Sequence, residues 1–543
     1  MVFQAIIPAL ALSFSPVSQP PKNVNIPMQE VKYSNLTQKD EKIIKNLSQY
    51  IPKVLKAMNT PGLNITIARD QNIIWEAGFG YSDAFQKKET STETIFRSGS
   101  MGKTYTGMAI LQLVEKGVIK LSDTINKHLT FKVKNPFSDK DITIYHLMTH
   151  TSGLTGDAAG GVFNKSRSLR ETLKSKYKES HQILIGKKPT WSVAPGTKWL
   201  YSNIGIATLG LIVENTNPEK LSFSRYVEKN IMKPLKMESS LYPPAQSKEH
   251  IPHNLWKRMS TGYHTMGDVW IPTPLVNFEE FPAGGFIATA SDHLKYMLAM
   301  QNHGKFNGVQ VFKPETVKTA LTPQKFDDGS IISYKLPGFY QGMVWVLMNW
   351  GSENKHFYHN GGHMFGWRTN GVSWPSHGYS MVVASNEWSS IGIKKRVIEV
   401  VTEAVQAVLN GKDPQPIADN ITVGKIPNGI QNLEWKASYL RGLLFMEAYR
   451  YGIGVNETLP LEYAEKLASQ AVVNTWSGKN PLWNKSAFLK GIEDMNNVKI
   501  SKEAIHKFAE KSMKITIDEA KKIFPAISHG GGYASLAGLL YYN

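Results

Sequence analysis

Residues 94–117 read TIFRSGSMGKTYTGMAILQLVEKG and contain the pattern on which the fold prediction depends. A strand-like segment at 94–98 leads to Ser100, and the residues from Met101 to Glu115 are apolar on almost every side when drawn as a helix. Such a helix belongs inside a core rather than on its surface. Gly117 follows where a helix usually ends on a left-handed residue. The stretch therefore predicts a buried helix that begins at a serine.

Strand and helix signals extend outward from this helix in both directions. In chain order they predict a helix at 39–58, strands at 63–68 and 73–79, helices at 204–215 and 221–232, strands at 342–348, 368–374 and 379–385, and a helix at 394–409. Hairpin strands come early, helices dominate the middle, and strands return late. We therefore expect an α+β fold in which one sheet is assembled from both ends of the region.

Length and composition bound the number of domains. The 543 residues suffice for more than one unit, and a hydrophobic fraction of 41% fits a folded protein. The pattern changes character after the turn at residues 411–414, where helical segments without recognisable chemistry begin. We divide the chain into a lead segment (1–38), a main domain (39–411) and a mostly helical C-terminal domain of unknown role (412–543).

The N-terminal residues favour export. Residues 2–17 are largely apolar, and Ala9-Leu10-Ala11 fits a cleavage signature, although no Lys or Arg precedes the stretch. This favours a signal peptide over a disordered N-terminus and predicts an extracytoplasmic location, periplasmic or secreted. The absence of cysteine rules out disulfides and a thiol nucleophile. No other run approaches the ~18 apolar residues that span a bilayer, so no transmembrane helix is expected.

The charge balance is strongly basic. Lys and Arg number 62 against 44 Asp and Glu, giving a net charge of +18. Such a charge attracts anionic surfaces, and association with an anionic envelope surface stays open as an alternative. The basic residues are spread along the chain and no nucleic-acid motif accompanies them. We expect a small-molecule or peptide substrate as the partner, and no nucleic acid.

Ser100 and Lys103 are the first candidate catalytic pair. A Ser-x-x-Lys string occurs three times, and the other two, at 175–178 and 352–355, lie in charged, turn-like sequence typical of a solvated surface. Only Ser100 stands at the start of a buried helix, where the i, i+3 spacing puts Lys103 on its face. A serine hydroxyl needs a base to become nucleophilic, and a buried lysine loses its proton more readily than an exposed one. The pair predicts a serine nucleophile.

Tyr201 and Asn203 form the second candidate group. The string Tyr201-Ser202-Asn203 follows a Pro-Gly turn and precedes an apolar helix. On its own the string favours a helix N-cap by Ser202 or Asn203 over a catalytic role. Beside Ser100 it offers a phenol that could take the serine proton, so Lys103 and Tyr201 both stay open as the base.

His359, Gly361 and Gly362 form the third group. Glycines here permit close approach of a backbone to a substrate. The Gly362 N–H, together with that of Ser100, would make an oxyanion hole worth roughly 3 kcal/mol per donor. The alternative is a glycine turn with an incidental histidine.

His146 and His150 have the spacing of metal ligands on a helix. No Glu stands beside either residue, as a zincin-type site would require. We predict no metal and no cofactor.

Six strings in order between residues 40 and 410 give the main domain a resemblance to the serine β-lactamase-like superfamily. The branch it resembles contains class C β-lactamases, D-aminopeptidases, carboxylesterases and relatives of penicillin-binding proteins. The strings are FRSGSMGK (96–103), EKGVIKLSD (115–123), ITIYHLMTHTSGL (142–154), PGTKWLYSN (195–203), KPLKM (233–237) and PAGGFIATASD (282–292).

This resemblance implies a β-lactamase/DD-peptidase-like fold: an antiparallel sheet with flanking helices, a helical lobe, and a site in the cleft between them. It implies an acyl-enzyme on Ser100, with proton transfer shared by Lys103 and Tyr201. Asn203, His359 and the two glycines would bind substrate.

Class C β-lactamases usually carry Lys-Thr-Gly where this chain has His359-Asn360-Gly361. Imidazole is only partly charged near pH 7 and would anchor a substrate carboxylate less firmly than lysine. The difference favours a serine hydrolase of the D-aminopeptidase, DD-peptidase or esterase type. The alternatives are an acyltransferase using the same residues, a β-lactamase, and a non-catalytic protein that binds peptide or cell-wall material.

Overall fold

The computed structural model of the protein describes residues 26–84, 86–154, 161–162, 167–180, 191–243, 250–266, 269–272, 277–333, 338–363, 366–389 and 396–414. The predicted signal peptide and nearly all of the predicted C-terminal domain lie outside these residues. The division into three segments therefore stays a prediction.

Ten α-helices occur in the described part of the chain. They are α1 (Gln38–Ala57), α2 (Gly102–Glu115), α3 (Ile144–Met148), α4 (Leu169–Ser180), α5 (Asn203–Thr216), α6 (Phe223–Val227), α7 (His253–Trp256), α8 (Ala290–Gln301), α9 (Pro314–Ala320) and α10 (Val397–Leu409). Shorter helical turns are Gly99–Met101, Ile125–Lys127, Glu228–Met232, Phe281–Ala283 and Pro375–His377. None of the helices described is long and apolar enough to cross a membrane.

Nine strands form the main sheet: β1 (Met28–Lys32), β2 (Gly62–Arg69), β3 (Asn72–Asp83), β4 (Lys88–Glu89), β5 (Phe339–Gln341), β6 (Val346–Met348), β7 (His356–His363), β8 (Trp367–Trp374) and β9 (Tyr379–Ser385). Short strands outside it are Phe96–Arg97, Gly161–Val162, Ser240–Leu241, Tyr263–Met266, Val269–Pro272, Asn277–Phe278, Ile287–Ala288, Lys305–Phe306, Val309–Gln310 and Glu387–Ser389.

The main sheet is antiparallel and joins distant parts of the sequence. Its order is β1-β3-β2-β9-β8-β7-β6-β5, with β4 pairing on β3. The β2 and β9 strands pair in the centre, where Ile65 stands opposite Val383. This pairing connects the early hairpin to the late strands, so the predicted assembly of one sheet from both ends is confirmed, and with it the α+β class.

Helices cover both faces of the sheet. On one face, α1 and α10 pack together over the buried side chains of β2, β3 and β9. A capping box between Thr37 and Asp40 starts α1, as the apolar run that follows requires. On the other face, α8 contacts β2, β8 and β9, and its core continues into the lobe that contains α2 and α5.

Helix α2 follows its prediction closely, whereas two other predicted elements differ. Its residues from Gly102 to Leu113 are all buried, and Gly117 has a φ of +71° just past the C-terminal end. The helix predicted at 221–232 is divided into α6 and a π-helical turn.

The strand predicted at 342–348 is wrong over its first half, because those residues bond to the helical lobe. The N–H of Met343 donates to Ala320 O at 2.9 Å, and that of Val344 donates to Met148 O at 2.9 Å. Val344 has a φ of +65°, so the chain turns here before β6 begins.

Candidate active site

The Ser100 hydroxyl stands on a tight turn at the entrance of α2. Gly99 has a φ of +52°, a left-handed conformation that favours glycine, and the 3₁₀ turn Gly99–Met101 leads directly into the helix. Lys103, fully buried one turn along, donates from Nζ to Ser100 Oγ at 2.9 Å and to the Ala283 carbonyl at 2.5 Å. The predicted pair therefore lies in hydrogen-bond contact.

Tyr201 meets the same hydroxyl from the helical lobe. Its phenol donates to Ser100 Oγ at 2.6 Å, and Lys103 Nζ lies 4.9 Å from the centre of its ring. Ser202 caps α5 by accepting a hydrogen bond from the Gly205 N–H at 3.1 Å. The two interpretations of this string are thus compatible, because Ser202 supplies the cap and leaves Tyr201 to face the serine. Asn203 is the buried first residue of α5.

The glycines of strand β7 lie in close contact with the turn that carries Ser100 (Gly99–Met101). An ideal Cβ on Gly361 would overlap the Ser98 carbonyl oxygen and lie 2.9 Å from the amide nitrogens of Ser100 and Met101. A Cβ on Gly99 would lie 2.7 Å from the Gly362 nitrogen. Only glycine allows two backbones to approach this closely. The string therefore forms a close contact between strand and turn, with the Gly362 nitrogen beside Gly99 and Gly361 beside the Ser100 nitrogen.

We expect Gly361→Ala to destabilise the protein by about 3 kcal/mol or more, because β7 or the Ser100 turn must shift to accommodate a methyl group. Gly205→Ala in α5 is the matched control, since the nearest atoms to its Cβ lie at 3.5 Å and alanine favours a helix by up to ~1 kcal/mol. Thermal unfolding of both variants checks this. Equal melting temperatures for Gly361→Ala and the wild type would contradict the close contact.

His359 is buried, and its protonation is set by its surroundings. The Nδ1 atom lies 2.6 Å from the Asn360 carbonyl oxygen. A carbonyl can only accept, so Nδ1 is assigned the proton. Burial, together with the charge of Lys103, lowers the pKa of His359 to about 4. The ring is therefore neutral at pH 7, and Nε2 carries a lone pair rather than a positive charge.

The two histidines with metal-ligand spacing do not share a helix. His146 lies in α3, where its Nδ1 accepts from the Thr143 N–H at 3.1 Å, and its Nε2 lies 3.3 Å from Asp327 Oδ1. His150 lies beyond the end of α3 with a φ of +57°, so the predicted helical spacing is wrong. Among the residues with described positions, no group of three or more His, Asp or Glu side chains could hold a metal ion.

Sequence reasoning missed the support beneath the nucleophile. Ser98 Oγ lies 2.5 Å from His293 Nε2, and the other ring nitrogen lies 2.8 Å from the Tyr105 hydroxyl. All three side chains are buried, and the network joins the turn before Ser100 to α2 and α8. Burial lowers the pKa of His293 to about 3, so this ring is neutral as well. The sequence signals were the 96–103 string, which contains Ser98, and the 282–292 string, which includes the start of α8.

The family model described as Beta-lactamase matches residues 47–406, which include every strand of the main sheet except β1, the helical lobe and every candidate site residue. The chain belongs to the Beta-lactamase family. This membership agrees with the antiparallel sheet, the flanking helices and the position of Ser100 at the start of α2.

Named relatives and a solved structure extend the comparison. Protein flp of Staphylococcus aureus (strain N315) is 27% identical over 262 residues, covering 47% of this chain and 48% of that protein. The chain thus spans about half the length of this relative. Penicillin-binding protein 4* of Bacillus subtilis (strain 168) is 24% identical over 364 residues, covering 64% of this chain and 71% of the relative.

The octameric penicillin-binding protein homologue from Pyrococcus abyssi has a similar fold. The TM-score is 0.56 at 21% identity, with 68% of this chain and 78% of the other covered. At this identity the likeness concerns the fold alone.

Proposed function

We propose that the protein is a serine hydrolase that forms a covalent acyl-enzyme on Ser100 and acts on a peptide, an amide or an ester. One observation carries this proposal: Lys103 Nζ and the Tyr201 hydroxyl both lie within hydrogen-bond distance of Ser100 Oγ, at 2.9 and 2.6 Å. Two proton-transferring groups on one serine hydroxyl are what an activated nucleophile requires. Membership of the Beta-lactamase family supports the same chemistry.

In the proposed reaction, Ser100 Oγ attacks the substrate carbonyl carbon and its proton passes to Lys103 or Tyr201. The carbonyl oxygen becomes an oxyanion, which the N–H groups of Ser100 and Gly362 would stabilise. The tetrahedral intermediate then collapses, and the leaving group departs with a proton from Lys103 or Tyr201. In the second half, water gives a proton to Lys103 or Tyr201 and attacks the acyl carbon, the acyl–Oγ bond breaks to release the acid product, and Ser100 Oγ takes the proton back.

His359 supports a substrate that does not depend on a carboxylate anchor. Because its ring is neutral at pH 7, it adds no positive charge beside the glycines of β7. A neutral imidazole with a free lone pair accepts a hydrogen bond, as from an amide N–H or an amine. This supports peptidase or esterase chemistry over efficient hydrolysis of β-lactams that carry a carboxylate.

A His359→Lys exchange tests this preference. We expect it to raise the rate of Ser100 acylation by carboxylate-bearing β-lactams about tenfold relative to a neutral short-chain ester, because one ionic contact contributes on the order of 1.4 kcal/mol. His359→Gln, which adds no charge, is the control. Stopped-flow acylation rates for both probes provide the measurement. An unchanged ratio of the two rates would count against the role assigned to His359.

The direct test of the proposed function is a mass-shift screen of the intact protein. D-amino acid amides, D-Ala-D-Ala peptides, short-chain esters and β-lactams are incubated with it, and adducts are mapped by peptide mass spectrometry. An adduct on Ser100 followed by product release supports the hydrolase. A stable adduct without turnover indicates a binding protein, and product that forms only with an added acceptor indicates an acyltransferase.

The proposed place of action is extracytoplasmic. The apolar residues 2–17 with Ala9-Leu10-Ala11 support this location. The net charge of +18 would favour contact with an anionic envelope surface.

A further inference from the structure

We propose that His150 is a positioning residue for Tyr201, because its main-chain carbonyl and its ring accept hydrogen bonds from the N–H groups of Leu200 and Ser202, the residues on either side of that tyrosine. The inference rests on the proposed function in one respect, namely that Tyr201 acts on Ser100. It assigns a task to a histidine whose sequence pattern resembled a metal ligand.

His150 accepts hydrogen bonds from the residues immediately before and after Tyr201. The N–H of Leu200 donates to the His150 carbonyl oxygen at 2.7 Å, and the N–H of Ser202 donates to His150 Nδ1 at 3.3 Å. The residue between them has its aromatic ring 4.7 Å from the His150 ring, at an angle of 32°. Three contacts from one residue therefore restrict where the Tyr201 side chain can point.

The backbone of His150 makes this double contact possible. Its φ of +57° is unusual for a residue with a side chain, and it comes just after Thr149, the residue that caps the short helix α3. The next residue continues the contact, because the N–H of Gly196 donates to the Thr151 carbonyl at 2.7 Å. The loop that carries Tyr201 is thus joined to the end of α3 at several points before it enters α5.

The His150 ring is in the neutral tautomer that can accept the hydrogen bond from the Ser202 N–H. Its Nδ1 accepts a hydrogen bond, so Nε2 carries the proton in the neutral ring. Complete burial, and to a smaller extent the charge of Lys103, lower the pKa of His150 well below its usual range. The acceptor is consequently available throughout the neutral pH range.

Three variants separate the two contacts of the His150 side chain, the hydrogen bond accepted by its ring nitrogen and the contact of its ring with Tyr201. Asparagine tolerates the left-handed backbone and offers a side-chain oxygen as an acceptor, so His150→Asn is expected to keep most activity. His150→Phe keeps a ring but loses the acceptor, and His150→Ala loses both. For these two we expect the saturating rate of Ser100 acylation to fall about 10–100-fold with little change in half-saturating concentration, as misplacement of a reacting group does.

His146→Asn is the matched control. His146 is also buried and also accepts from a main-chain N–H, but it bonds near Asp327 rather than beside Tyr201. We expect this variant to acylate at the wild-type rate. A loss of acylation rate equal to that of His150→Ala would show that general damage to this segment, not the loss of the His150 contacts around Tyr201, causes the effect.

A double-mutant cycle with Tyr201→Phe distinguishes positioning from a merely structural role. If His150 acts through the Tyr201 hydroxyl, His150→Ala should cost little further rate once that hydroxyl is gone. The same fold-loss in both backgrounds would overturn the proposal.

A readout that needs no catalysis separates failure of this inference from failure of the proposed function. In protein labelled with 3-fluorotyrosine, the ¹⁹F resonance of Tyr201 is assigned from its loss in Tyr201→Phe. His150→Ala should shift or broaden this resonance, whereas His146→Asn should not. An unchanged resonance in His150→Ala overturns the positioning role of His150. A wild-type protein that no probe acylates overturns the proposed hydrolase function instead.

Discussion

The Ser100→Ala variant is expected to lose all covalent labelling by acylating probes and to lower turnover by about 10⁴-fold or more. The hydroxyl receives hydrogen bonds from Lys103 and Tyr201, and it is the nucleophile of the proposed reaction. Intact-protein mass spectrometry and initial rates measure both effects. Thermal unfolding should show a folded variant, because the change removes one oxygen atom from a partly exposed side chain.

The chain provides its own control for this experiment. Ser352 begins another Ser-x-x-Lys string, but it is exposed, and its hydroxyl donates to the Asn349 carbonyl at 2.9 Å. Ser352→Ala should label and turn over like the wild type. Persistent labelling of Ser100→Ala with retained turnover would exclude the acyl-enzyme on Ser100.

The second large effect is expected from Lys103→Met. Methionine fills a similar space without the amine, so we expect acylation to slow about 10³-fold, within the range for loss of an acid–base group. Stability should not fall in parallel, because methionine keeps most of the packing volume and removes an amine whose burial is itself costly. Acylation kinetics and melting temperature, measured on one preparation, separate the two effects.

Lys103→Arg tests whether a base or only a positive charge is needed. Arginine keeps the charge but stays protonated, so it cannot take the serine proton, and we expect a loss close to that of Lys103→Met. Lys355→Met, at the exposed string, is the control for lysine removal. Acylation by Lys103→Arg within tenfold of the wild type would assign the proton to Tyr201 rather than to Lys103.

Much of the fold was predictable because local sequence carries it. The apolar run of α2, its start beside Ser100 and its end before Gly117 depend on residues within a few turns of each other. The same holds for β9, whose predicted and observed bounds coincide. Strand β6 was predicted too long because hydrogen bonds from Met343 and Val344 to the helical lobe interrupt it, and such bonds have no local signal.

The candidate site was predictable as a set of residues but not as an arrangement. Three strings identified Ser100, Tyr201 and His359 as members, and the structure brings them to one turn. The contact of Lys103 with the Ala283 carbonyl joins residues 180 positions apart. The hydrogen bonds of His150 with Leu200 and Ser202 depend on where α3 ends. Spacing along the chain cannot reveal either contact.

The nucleophile candidate, the helix that carries it and the α+β class follow from short-range periodicity and residue type. The close approach of β7 to the Ser100 turn, the contact of the Tyr201 phenol with Ser100 Oγ, and the neutral rings of His150 and His359 depend instead on how distant segments pack. Close approach of two backbones and the burial of histidine rings away from solvent arise when distant segments pack together. They are therefore properties of the folded chain rather than of any one string within it.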